Sequence, residues 1–191
     1  GIFNDGDNLS IMINSTVVNN YAEYYGGGIF NYSTSATGST PTIWNSIIWG
    51  NSNFFGNSDI ESLQSTPSIN YSLLTNGCPS GAACSTILSG SPGFVDSNGA
   101  DNIAGNYDDN LHLTNASQAV DAGNNFGLPY DDNDLDQDGN TSELLPLDLD
   151  RDARLLDNPY HFPDTGWWFP PFVDMGAYET TTRVYLPLVV R

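Results

Sequence analysis

The chain has 191 residues, with 23 Asp and Glu against four Arg, no Lys and a formal net charge of −19. So few basic groups cannot neutralise phosphates, which excludes nucleic-acid binding and disfavours adhesion to an anionic membrane surface. No apolar run reaches the ~18 residues that a membrane-spanning helix needs.

The first predicted elements repeat. Gly1-Ile2-Phe3-Asn4 recurs as Gly28-Ile29-Phe30-Asn31, and Asn14-Ser15-Thr16-Val17-Val18 recurs as Asn45-Ser46-Ile47-Ile48-Trp49. The offsets are 27 and 31 residues, and the difference fits an insertion between Tyr32 and Thr40. A weaker third copy is Tyr71-Ser72-Leu73-Leu74. Within each unit, Ile11-Met12-Ile13, Thr16-Val17-Val18, Ile43-Trp44 and Ile47-Ile48-Trp49 are β-branched or aromatic and too short for helices. Asn14 and Asn45 fall between two such runs, where a sharp corner calls for a left-handed residue. Gly26-Gly27-Gly28 suits a second corner. Short strands turned by Asn and Gly, with no sustained 3.6-residue period, predict a single-stranded parallel β-helix whose coils rise about 4.8 Å each. A leucine-rich repeat lacks its Leu pattern here, and a β-sandwich gives no reason for the recurring word.

After the repeats comes a loop, residues 76–91, holding the two cysteines in Cys78-Pro79-Ser80-Gly81-Ala82-Ala83-Cys84. Pro and Gly between them favour a compact turn, so the prediction is a disulfide and an oxidising, extracytoplasmic location. Two Cys without neighbouring His do not complete a zinc site. Next come Pro92-Gly93-Phe94-Val95-Asp96, the strand-like Leu111-His112-Leu113 and Ala119-Val120-Asp121-Ala122-Gly123. The charge is uneven along this path: 6 of the acidic residues lie in 1–100 and 17 in 101–191.

The acidic insertion, Asp131 to Asp152, contains the sharpest site candidate. Asp132, Asp134, Asp136 and Asp138 alternate ahead of Gly139, with Asn140 and Glu143 following, much as in the start of an EF-hand or dockerin-like loop. Alternate carboxylates converge on one hard cation, and Ca²⁺ is the cofactor expected. Two registers stay open. With Asp134 first, the twelfth position is Leu145 rather than Glu. With Asp132 first, Glu143 takes that place but Gln137 stands where Gly belongs.

Trp167-Trp168-Phe169 follow in a Pro-bounded irregular stretch and could stack on sugar rings, but a cap is the preferred reading, because an open coil end exposes core and unpaired strand edges. The last strong strand signal is Val173-Asp174-Met175-Gly176-Ala177-Tyr178-Glu179. The organisation read from these elements is β-helix coils over 1–96, a terminal coil and cap with the acidic loop over 97–179, and a possible sorting or anchoring tail over 180–191.

The words Gly-Gly-Gly-Ile-Phe-Asn (26–31), Asn-Ser-Ile-Ile-Trp-Gly-Asn (45–51), Pro-Gly-Phe-Val-Asp (92–96), Leu-His-Leu (111–113), Ala-Val-Asp-Ala-Gly (119–123) and Asp-Met-Gly-Ala-Tyr-Glu (174–179) occur in that order. They resemble bacterial right-handed parallel β-helix repeat proteins, and more specifically their C-terminal choice-of-anchor Q module. The resemblance implies an exported, extracellular or cell-surface protein in which these are the last coils of a longer solenoid. It also implies a structural, adhesive or glycan-contacting role, in a protein expected to be monomeric. The competing reading is the end of a polysaccharide lyase or glycoside hydrolase whose catalytic coils precede Gly1. Lyase chemistry commonly uses Arg or Lys as base, and residues 1–150 contain neither. Hydrolysis needs two carboxylates, for which Asp59 and Glu61 are the candidates on the repeats.

Overall fold

A computed structural model describes residues 1–6, 9–34 and 38–180. The tail predicted over 180–191 therefore lies, beyond Thr180, outside the described residues. The described chain is all-β: fourteen strands, one short 3₁₀ turn (Asn125–Gly127) and no α-helix.

The first repeat supplies β1 (Ile2–Asp5), β2 (Ile11–Ile13), β3 (Thr16–Val18) and β4 (Tyr21–Ala22). The second supplies β5 (Ile29–Tyr32), β6 (Thr42–Trp44), β7 (Ile47–Trp49) and β8 (Ser52–Asn53), then the short β9 (Gly56–Asn57). The third supplies β10 (Ile60–Leu63) and β11 (Ser68–Leu74), and β12 (Ala83–Ser89) lies beyond it. Strands of successive repeats pair parallel and in register. Ile2 pairs with Ile29 and Ile29 with Ile60; Ile13 pairs with Trp44, Trp44 with Asn70 and Asn70 with Ser85. The predicted corners are therefore equivalent. Asn14 and Asn45 sit one residue past those partners with φ of 45° and 47°.

The stack is held by side chains as well as ladders. Phe3 stacks on Phe30 at 5.6 Å and Trp44 on Tyr71 at 6.2 Å. Asn4 donates to Asn31, and Asn31 to Ser62. Ile29, Ile43, Ile48, Ile60, Ile69 and Leu74 form one core between the sheets. Their strand neighbours Ile47 and Leu73 face the other way, and they too are buried. A second core covers them, built with Leu113, Ala119, Val120, Ala122 and Met175. The C-terminal half thus packs along one flank of the parallel stack.

That half departs from the parallel pattern. β13 (Phe94–Asp96) and β14 (Asn110–Leu113) pair antiparallel. Residues 119–121 form turns rather than a strand. The expected strand over Val173–Glu179 is also absent, and its hydrogen bonds give the reason. Met175 N–H donates to the Ala119 carbonyl and Gly176 N–H to the Asn45 carbonyl. Val173 N–H donates to Asn125 Oδ1, Ala177 N–H to Thr16 Oγ1 and Glu179 N–H to Asp148 Oδ2. Successive donors find partners on different segments, so no single neighbouring strand forms a ladder.

Candidate metal centre

The acidic loop is pinched at its neck. Tyr130 bridges Leu144 antiparallel, Leu145 N–H donates to the Pro129 carbonyl, and Asp131 N–H donates to the Glu143 carbonyl at 2.9 Å. Asp131 and Glu143 thereby face each other. Between them the chain turns through left-handed residues at Asp134, Gln137 and Gly139. Short local bonds hold the turns: Asp131 Oδ2 accepts from Leu135 N–H at 2.7 Å, and Asp134 Oδ1 from Gly139 N–H at 3.0 Å.

Carboxylate oxygens converge in two overlapping groups, each within 4.8 Å: Asp131, Asp136 and Glu143, and Asp134, Asp136 and Asp138. Asp136 belongs to both. Asp132 belongs to neither and is exposed. Asn140 turns its side chain to Glu143 Oε2 and Ser142 N–H. Asp131, absent from the sequence candidates, is only 1% exposed, and its Oδ1 has no hydrogen-bond partner. Glu143 Oε1 is likewise unpartnered. Buried carboxylate oxygens are normally satisfied, because an unpaired one costs free energy. The Glu143 carboxyl is held above the usual carboxylate range, first by desolvation and then by Asp138, Asp136 and Asp131. A donor set that is all oxygen and anionic, with two oxygens left open, suits a hard cation such as Ca²⁺. The sequence signal for Asp131 was its place directly before the alternating Asp run.

The other candidates lie elsewhere. Cys78 and Cys84 form a disulfide, with Cα atoms 6.1 Å apart. Asp59 Oδ1 accepts from Asn51, and Oδ2 from Thr75 N–H at 2.7 Å. Glu61 Oε2 accepts from Gly26 N–H at 2.6 Å and from Asn53 and Ser58. Both carboxylates brace corners beside a cavity of about 310 Å³. Trp167 joins the Asn45 corner through Gly123 and Asn125, and Trp168 meets Phe126 edge-on at 6.1 Å. Trp167, Trp168 and Phe169 remain 63%, 49% and 68% exposed. His112 lies 2.7 Å from Asp150 and stacks on Tyr178.

The search for relatives returned no matching family model, curated protein or solved structure. Among the described residues no helix is long and apolar enough to cross a membrane.

Proposed function

We propose that this chain is the C-terminal part of an extracellular or cell-surface, right-handed parallel β-helix protein ending in a choice-of-anchor Q-type module, with a structural or adhesive role and a Ca²⁺-stabilised loop. The observation that carries the reading is the in-register stacking of the repeats, with Asn14 and Asn45 at equivalent left-handed corners. The disulfide supports an oxidising compartment. The exposed Trp167, Trp168 and Phe169 suit stacking on sugar rings, which makes extracellular glycans the partner class for this surface. Both Asp59 oxygens and Glu61 Oε2 are engaged in bracing corners, which favours a scaffold over a hydrolase at that cavity.

Two measurements test the reading. Ca²⁺ that binds only the folded chain stabilises it by about 2.7 kcal/mol at a hundredfold excess over Kd. Melting in millimolar Ca²⁺ should therefore occur above melting in EDTA, and Asp136→Ala should remove most of the difference. Equal melting temperatures for the parent in the two buffers would refute the loop centre. Incubation with polygalacturonate or alginate in Ca²⁺ should release no unsaturated product; release of product would overturn the non-catalytic role.

A further inference from the structure

Asp121 lies in the Ala119–Gly123 segment, on the flank of the parallel stack, and shares no carboxylate group with the acidic loop. It is 1% exposed and has a left-handed backbone with φ of 48°. Its backbone N–H donates to Asp174 Oδ1 at 2.7 Å. Its carbonyl accepts from Thr165 N–H at 3.1 Å and Gly166 N–H at 2.8 Å. Its carboxylate is far less well provided for. Oδ2 accepts one long bond, 3.4 Å, from Asn158 N–H, and Oδ1 has no partner.

The segment that clasps Asp121 brings two further carboxylates to it. Oxygens of Asp121, Asp157 and Asp164 all lie within 4.8 Å of one another. Asp157 and Asp164 are exposed, so the group opens to solvent, while Asp121 contributes a buried side chain with one unpartnered oxygen. The strongest charges acting on Asp121 are those of Asp174, Asp164 and Asp157, all acidic. Its carboxyl is pushed up to about 7, first by burial and then by those neighbours. Three carboxylates brought together by backbone bonds, with one buried oxygen of Asp121 left without a hydrogen bond, call for a positive group among them.

We propose that Asp121, Asp157 and Asp164 form a second divalent-cation site of the Ca²⁺ class, separate from the acidic loop, which ties residues 157–166 to the flank of the stack. Oxygen-only ligands and an open solvent side, where waters complete the shell, suit Ca²⁺ rather than a softer metal. The site shares no residue with the loop centre and stands independently of it.

The test is Ca²⁺ stoichiometry by equilibrium dialysis on the whole chain at pH 8, with Ca²⁺ alone as probe. The double variant Asp157→Asn, Asp164→Asn should bind one ion fewer than the parent. Both residues are exposed, so the fold is not at risk. Asp121→Asn, which keeps the side-chain shape and tolerates the left-handed backbone, should lose the same ion. Glu143→Gln should leave that ion in place. If the double variant binds as many ions as the parent, the inference is overturned. If Asp136→Ala, which removes the carboxylate shared by both loop groups, binds as many ions as the parent, the loop centre fails and the second site stands.

Discussion

Asn45 joins three layers of the molecule through one side chain. Nδ2 donates to Asn14 Oδ1 at 3.4 Å and to the Asn124 carbonyl at 3.0 Å, while Oδ1 accepts from Asn124 N–H at 2.8 Å. It is fully buried with φ of 47°. Asn45→Ala strands the Asn124 groups and places Ala in a left-handed corner, and should lose about 2–4 kcal/mol. Asn45→Gly keeps the backbone relaxed and should lose less. Urea unfolding of the three proteins should rank parent, Gly, Ala; an Ala variant as stable as the parent would show that the corner does not depend on this side chain. The corner role of Asn14 and Asn45 was legible in the sequence, because Asn tolerates left-handed backbone. The same corner in the next layers is Tyr71, with φ of 45°, and Thr86, with φ of 53°. Those residue types give no such signal. Register with the neighbouring strands imposes the conformation on them.

At the scale of elements, β7 shows why both Ile47 and Ile48 are apolar. One faces the core between the sheets and the other the core on the flank. A strand buried on both faces reads as a continuous apolar run, so the sequence predicted the strand without revealing what covers its second face. Val173–Glu179 is the converse. Its apolar and β-branched residues suggested a strand, yet its hydrogen bonds go to scattered side chains and carbonyls. Buried Asp174 and Glu179 supply several of those acceptors: Asp174 accepts from Asp121 and Thr180 N–H, and Glu179 from Asp174 N–H. The Cys78–Cys84 disulfide closes the turn before β12, and Cys84 packs against the core between the sheets. On the chain-entropy estimate, Cys78→Ser should lower stability by about 2 kcal/mol. Denaturant midpoints of parent and variant, without reductant, check this; coincident midpoints would show that the loop is equally ordered without the bond.

For the whole molecule, the acidic groups set the pH response. Asp121, Glu143, Asp174 and Glu179 all have folded-state carboxyls shifted upward, in each case chiefly by desolvation. Glu179 is raised despite buried Arg154, whose guanidinium lies 3.8 Å away. A carboxyl whose folded value is raised contributes stability that is complete below its unfolded value. That contribution is lost as pH rises through the folded value. The four shifts share one sign, and Asp121 reaches about 7 from an ordinary 3.8. In EDTA, stability should therefore fall as pH rises from about 4 towards 7 and beyond, and Ca²⁺ should flatten that fall. Thermal melts across this range decide it; a melting temperature that rises with pH in EDTA would contradict the shifts.

The amino-acid sequence by itself determined the repeating strands, their corners, the disulfide loop and the acidic loop, because each rests on local spacing or on residues near in the chain. Only the tertiary structure decided that the C-terminal half packs on the flank of the stack, and that Asp131 and Asp121 carry buried, unpartnered oxygens. Both facts depend on contacts between distant segments. Asp121 meets Asp157 and Asp164 only because residues 157–166 wrap back onto it. An Asp in a turn looks the same in sequence whether it ends in solvent or against two other carboxylates.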